Sequence, residues 1–155
     1  MATGTFSLPF QSPKYFVGMN RIKLLLVEDN QADAQMAERI LSKNHLVASF
    51  VRLQDGEAAM LYLMNEHNPV PTLILLDIKM PKITGLELLQ IIRRESRTCM
   101  IPTIMLSSSA RTEDIQEAYR LGANGYFVKP GQLKVLQQTL DGLVNYWSTV
   151  NHPAL

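Results

Sequence analysis

The sequence predicts an α/β fold: a five-stranded parallel, doubly wound sheet with helices on both faces. Three observations predict it. Short apolar runs rich in Leu, Ile and Val alternate with segments of helical period along the whole chain. Two of those runs, Leu24-Leu25-Leu26-Val27 and Leu73-Ile74-Leu75-Leu76, are apolar at every position, as suits parallel strands covered on both sides. Caps and breakers (Asn30, Asp55-Gly56, Thr84, Thr112, Gly122) punctuate the alternation.

The elements follow in order. Ile22 to Val27 reads as the first strand. Asn30 caps a helix from Gln31 to Lys43, with Met36, Ala37, Ile40 and Leu41 on one face. Val47 to Leu53 is the second strand, and Asp55-Gly56 opens a helix whose apolar face is Ala59, Met60, Leu63 and Met64. Pro69 and Pro71 end that unit. Thr72 to Leu76 is the third strand, and Thr84 caps a helix carrying Leu88, Leu89, Ile91 and Ile92. Thr103 to Leu106 is the fourth strand. Thr112 caps the fourth helix, with Ile115, Ala118, Tyr119 and Leu121, which Gly122 stops. Gly125 to Val128 is the fifth strand. The last helix runs from Gln132 to Trp147, with Leu133, Leu136, Leu140, Leu143 and Trp147 on one side.

Residues 1–20 mix aromatic residues with Pro9 and Pro13 and read as an irregular extension; a leader foreign to the domain, or a start at Met19, are alternatives. The globular domain is expected over 21–147, with a tail over 148–155. Trp147, Val150 and Leu155 reach past the expected sheet edge, so packing on the domain or on a partner chain is expected of them. A homodimer through the last helix and tail is a secondary expectation, because an amphipathic helix on a sheet needs a leucine stripe anyway.

The chain has 155 residues, 46% of them apolar, enough for one domain with a packed core. Fifteen basic against fourteen acidic residues leave a net charge of +1. That balance supplies no electrostatic attraction for nucleic acid or an anionic membrane. No apolar stretch is long enough to span a bilayer, and residues 1–20 lack the layout of a secretory signal. The single cysteine, Cys99, excludes a disulfide framework within the chain, and a reducing, cytoplasmic setting is expected. His45, His67 and His152 show no metal-ligand spacing.

The chemistry gathers at the strand ends, where open α/β sheets bind their ligands. Glu28 and Asp29 follow the first strand, Asp77 the third, Ser107 and Ser108 end the fourth, and Lys129-Pro130 follows the fifth. If the strand order is 2-1-3-4-5, strands one and three are neighbours and their acids face one another. Three such carboxylates repel unless a cation lies between them, and Mg2+ suits an all-oxygen donor set. Asp77 could then attack phosphorus in line. The Lys129 ammonium would stabilise the transferring charge, and the Ser107 hydroxyl could donate to the arriving group.

Leu-Leu-Val-Glu28-Asp29-Asn30, Leu-Leu-Asp77-Ile-Lys-Met-Pro81 with Gly85, Met-Leu-Ser107-Ser108 and Gly-Tyr126-Phe-Val-Lys129-Pro130 occur in that order. Together they resemble the response-regulator receiver domain over Arg21 to Trp147. The short layout and the Trp147 region are similar to the single-domain regulators of cyanobacterial-type phytochrome kinases.

The resemblance implies the strand order 2-1-3-4-5 and a set of roles. Asp77 matches the phosphoacceptor, Glu28 and Asp29 the Mg2+-holding acids, and Lys79 the position whose backbone carbonyl ligates the metal. Ser107 matches the switch hydroxyl, Lys129 the family lysine, and Tyr126 the aromatic whose rotamer reports phosphorylation. The Lys129-Pro130 bond matches a position that is cis in the family. Lys79, Ser107, Thr84 and Gly131 depart from the commoner residues, yet none removes a required group.

The implied function is phosphorylation-controlled signalling: a sensor histidine kinase as donor, with a phytochrome among the expectations, and output through a downstream protein target. Output by protein contact is expected because little chain remains after Trp147. A conventional enzyme is not expected. An aspartyl phosphatase commonly carries a second acid two residues after its nucleophile, and here that residue is Lys79. A nucleophile elbow, a phosphate-cradling Gly-Lys loop and a zinc helix motif are absent. A receiver-like binding domain that is never phosphorylated is the third reading, and loss of an acid or of the lysine would have favoured it.

Overall fold

The structure, a computed structural model, describes residues 20–150. Along the chain run β1 (Ile22–Val27), α1 (Gln31–Leu41), β2 (Val47–Leu53), α2 (Gly56–Met64), β3 (Leu73–Leu76), α3 (Gly85–Arg94), β4 (Thr103–Ser107), α4 (Thr112–Arg120), β5 (Gly125–Val128) and α5 (Leu133–Asn145). A short π-helical turn, Tyr146–Val150, continues from α5. The strands form one sheet in the order β2-β1-β3-β4-β5, every pair parallel, as expected.

The alternation of the pleat sorts the strand side chains into two cores. Leu24 and Leu26 of β1, Leu73 and Leu75 of β3, and Ile104 and Leu106 of β4 face α1 and α5. Leu25, Val27, Ile74, Leu76 and Met105 face the opposite layer, with Ala59 and Leu63 of α2, Leu88, Leu89 and Ile92 of α3, and Ala118 of α4. Leu73 to Leu76 are wholly buried, which explains why β3 shows no polar alternation. Burying each such side chain contributes roughly 1.5–3 kcal/mol at most, since the unfolded chain already hides some of this surface.

Local chemistry sets the helix starts. Asn30 Oδ1 accepts the Asp33 N–H at 3.0 Å, and Asp55 Oδ1 accepts the Ala58 N–H at 2.8 Å. Thr84 and Glu87 close a reciprocal capping box: Glu87 N–H donates to Thr84 Oγ1 at 3.2 Å and Thr84 N–H to Glu87 Oε2 at 2.8 Å. Gly122, with φ of +100°, ends the fourth helical segment in a backbone conformation that disfavours a side chain. Arg93 Nε donates to the Gly122 carbonyl at 2.9 Å, and its Nη1 reaches those of Cys99 and Ile101 at 3.2 and 2.9 Å. One cation thus ties α3 to two loops.

Four expectations change at this level. Thr112 is not the cap of α4 but its first residue: Arg111 holds the cap position without a side-chain bond. Ser109 Oγ does the local work instead, accepting the Arg111 N–H at 3.3 Å and bonding Asp114. Leu133 does not join the buried stripe of α5. It stands 54% exposed on the wall of a surface groove between α1 and α5, shared with Met36, Arg39 and Ile40, while Leu136, Leu140, Leu143 and Val144 are buried. The first helix stops at Leu41, its C-terminal carbonyls taken by the N–H groups of Ser42, Lys43 and Asn44. The Lys129-Pro130 bond is trans, not cis. An X–Pro bond prefers trans by only about 0.5–1 kcal/mol, so the residue pair alone does not determine the isomer.

Trp147 packs against the α1/α5 core, and Ser148 Oγ donates to the Asn20 carbonyl at 3.0 Å. The first nineteen residues of the expected extension, Leu155 and the Val150 side chain lie outside the described residues.

Candidate functional site

Register brings the acids together. Val27 and Leu76 are Cα partners across β1 and β3, so the residues that follow them leave the sheet side by side. The Asp77 N–H donates to the Val27 carbonyl at 3.1 Å, and the Glu28 N–H to that of Leu53 at 3.1 Å. Glu28 keeps the parity of Leu24 and Leu26, and Asp77 that of Leu73 and Leu75. Both side chains therefore turn to the α1/α5 side, as Cβ atoms alternate along a strand. Ser107 and Val128 pair at the far edge, and the Lys129 N–H donates to the Ser107 carbonyl at 2.8 Å. That bond brings the lysine out beside the acids.

Carboxylate oxygens of Glu28, Asp29 and Asp77 lie within 4.8 Å of one another. Glu28 and Asp77 are buried, and Asp29 is exposed at the rim. Lys129 Nζ reaches three carboxylates, two of them buried: 2.6 Å to Glu28 Oε2, 2.9 Å to Asp33 Oδ2 and 3.4 Å to Asp77 Oδ2. Glu28 Oε1 accepts the Asn30 N–H at 3.1 Å, and the Arg52 guanidinium grips the Glu28 carbonyl at 3.1 and 3.3 Å. Asp77 Oδ1 is buried and has no hydrogen-bond partner.

The electrostatics follow from this crowding. Burial pushes the Glu28 carboxyl up to about 7; the bond from Lys129 opposes the rise and the Asp77 charge adds to it. Burial lowers Lys129, but its bonds to Glu28 and Asp33 and the charge of Asp77 outweigh that, and it ends above its ordinary value. The ammonium therefore stays charged wherever the carboxylates do.

An all-oxygen donor set, clustered at this spacing around a buried oxygen with no partner, fits a hard divalent cation. The Lys79 side chain is exposed and takes no part in the cluster.

Behind the acids lies a second, neutral chain of contacts. Ser107 is fully buried, and its Oγ accepts the Ser109 N–H at 3.2 Å. The Tyr126 hydroxyl donates to the Ser109 carbonyl at 2.8 Å, and its ring packs on the core beneath α4. Ser107 and Tyr126 therefore meet through Ser109, whose own hydroxyl is bonded to Asp114 in the first turn of α4.

The sequence reading named Glu28, Asp29, Asp77, Lys129, Ser107 and Tyr126, and the fold gathers them at one end of the sheet. It missed Asp33, Arg52 and Ser109. The position of Asp33 four residues after Asp29, in the first turn of the helix leaving the site, was the available signal. Nothing local pointed to a partner 96 residues away.

Comparison with known proteins agrees with this architecture. Residues 24–141 match the family described as the response regulator receiver domain. The chain is 35% identical over 136 residues to the response regulator Rcp1 of Synechocystis sp., covering 84% of this chain and 92% of that protein. Among solved structures, the phosphorylated cyanobacterial phytochrome response regulator RcpA superposes with a TM-score of 0.82 at 33% identity, covering 87% of this chain and 99% of RcpA. The Mn2+-bound form of Rcp1 gives 0.79 at 32% identity, covering 85% and 98%. No helix among the described residues is long and apolar enough to cross a membrane. Sheet order, the acid cluster, the lysine bound among it and a family match over most of the described residues lead to one conclusion: this chain belongs to the response regulator receiver family.

Proposed function

We propose that the protein is a phosphorylation-controlled signalling module in which Asp77 accepts the phosphoryl group. The observation that carries the reading is the Asp77 carboxylate itself. It is 6% exposed, one oxygen has no partner, and the other lies 3.4 Å from a fixed ammonium. Receiver domains are signalling proteins phosphorylated on an aspartate with Mg2+.

Glu28, Asp29 and Asp77 would hold the cation, with the Lys79 backbone carbonyl as a further ligand. When bound, Mg2+ offsets the repulsion among the carboxylates and draws charge from the phosphoryl oxygens. In the transfer, a carboxylate oxygen of Asp77 forms a bond to phosphorus while the bond from phosphorus to the donor nitrogen breaks. The electron pair of that bond stays on the donor imidazole, which takes up a proton. Lys129 supports the charge on the arriving group, and the Ser107 hydroxyl turns toward it. Ser109 then loses the acceptor of its N–H, and Tyr126, bonded to the same residue, shifts with it. The outward signal is a changed protein-binding surface at the edge of the sheet.

A sensor histidine kinase is the donor. Likeness to two regulators, one of them described as a phytochrome response regulator, supports a phytochrome-type kinase. A downstream protein is the target, in the cytoplasm, with self-association through α5 as a further expectation.

Incubation with Mg2+ and acetyl phosphate, followed by mass measurement of the intact protein, tests the reading. One added phosphoryl group, labile to hydroxylamine and absent in Asp77→Asn, is expected. A folded wild type that gains none overturns it.

A further inference from the structure

Asp33 belongs to neither the acid cluster nor the serine–tyrosine chain. It lies in the first turn of α1, and its backbone N–H is already bonded to Asn30 Oδ1. Its carboxylate has no capping duty. Oδ2 instead reaches Lys129 Nζ at 2.9 Å. The two residues share the wall of a small cavity of about 40 Å³ with Leu26, Glu28, Met36 and Pro130.

A lysine ammonium on four rotatable bonds needs more than one anchor to be held in place. Lys129 has three carboxylates within 3.4 Å, and two of them, Glu28 and Asp77, are in the cluster suited to a divalent cation. A carboxylate that ligates a cation has less charge to offer an ammonium, and the cation repels that ammonium. Asp33 stands outside the cluster and has no such competing duty.

The geometry points to Asp33 as a positioning residue for Lys129, keeping its ammonium beside Asp77 when Glu28 and Asp77 are engaged elsewhere. This inference rests on Asp77 being the phosphoacceptor and deepens that reading. Asp33 touches no reacting atom. It acts only through Lys129, and the 42% exposure of its side chain means that a change of charge there does not disturb a core.

The test uses Asp33→Asn, which keeps shape and removes charge, and Asp33→Glu, which keeps charge. Lysine ammonium spectra at saturating Mg2+ read the position of Lys129 directly: a bonded ammonium exchanges its protons slowly, and Lys129→Arg identifies the signal. Asp33→Asn is expected to accelerate that exchange several-fold, with Asp33→Glu restoring much of the protection. Phosphorylation by acetyl phosphate at saturating Mg2+ should slow about tenfold in Asp33→Asn, the scale of a misplaced catalytic group. It should not slow further when Asp33→Asn is added to Lys129→Ala. Unchanged exchange, or an equal loss of rate in the Lys129→Ala background, overturns the role of Asp33. A wild type that is never phosphorylated overturns the reading of Asp77 instead, and the exchange measurement still judges the contact.

Discussion

Lys129 Nζ lies 2.6 Å from Glu28 Oε2, linking the end of β5 to the end of β1 across β3 and β4. The pair is nearly buried, with side-chain exposures of 14% and 3%. It joins the ends of β1 and β5 beside Asp77, so its ionisation bears on both the stability of the metal-free protein and the binding of a cation.

Glu28 makes that dependence visible near neutral pH. Its carboxyl sits at about 7 in the folded protein against an ordinary 4.5, so the folded state holds the proton more tightly than the unfolded state does. The stabilisation from this group is therefore complete below about 4.5 and is lost as pH rises through about 7. Urea unfolding of the metal-free protein should give lower stability at pH 8 than at pH 5.5, and Glu28→Gln should flatten that difference. Mg2+ affinity should run the other way, rising with pH through about 7 as the proton ceases to compete, and titration calorimetry reads it. Affinity that is flat from pH 5.5 to 8 would rule out Glu28 as a ligand that must lose a proton.

Lys129→Met removes the cation from this pocket and keeps the apolar stem. Stranding the acids should cost on the order of 3 kcal/mol in metal-free protein at pH 8. The loss should shrink at pH 5.5, where Glu28 is protonated, and it should shrink at pH 8 when Mg2+ is added. Equal losses under all three conditions, measured by urea unfolding, would mean that the lysine matters only for packing.

At Gly85 the start of α3 lies directly against the backbone of Asp77 and Ile78. A Cβ there would stand 1.9 Å from the Asp77 carbonyl oxygen and 2.8 Å from Ile78 Cα, and both are backbone atoms that cannot rotate away. Gly85→Ala should cost about 3 kcal/mol and slow phosphorylation, because α3 must pull back and move Asp77 with it. Gly131 is the contrast: a Cβ there meets nothing within 4 Å, so Gly131→Ala should be neutral or stabilising by up to about 1 kcal/mol. Chemical denaturation of the two variants side by side separates local crowding from a general intolerance of substitution.

The sequence by itself determined the elements, because what makes them is local. Apolar runs at Leu24 to Val27 and Leu73 to Leu76, caps at Asn30, Asp55 and Thr84, and a stop at Gly122 act within a few residues of one another, and the fold places them as read. The site acids were legible for a related reason. A carboxylate just past a strand that is buried on both faces has one end of the sheet to occupy. The exceptions sit where local signals are weak: Thr112 and Arg111 compete for one cap, and the Lys129-Pro130 pair leaves its isomer open within about 1 kcal/mol.

Only the tertiary structure decided which charges meet. The partnership of Asp33 with Lys129 spans 96 residues, and Arg52 reaches Glu28 from a neighbouring strand. The exposure of Leu133 depends on where α5 lands on the sheet. Each of these distances follows from strand register and helix docking, which many weak contacts set jointly and no short stretch of sequence encodes.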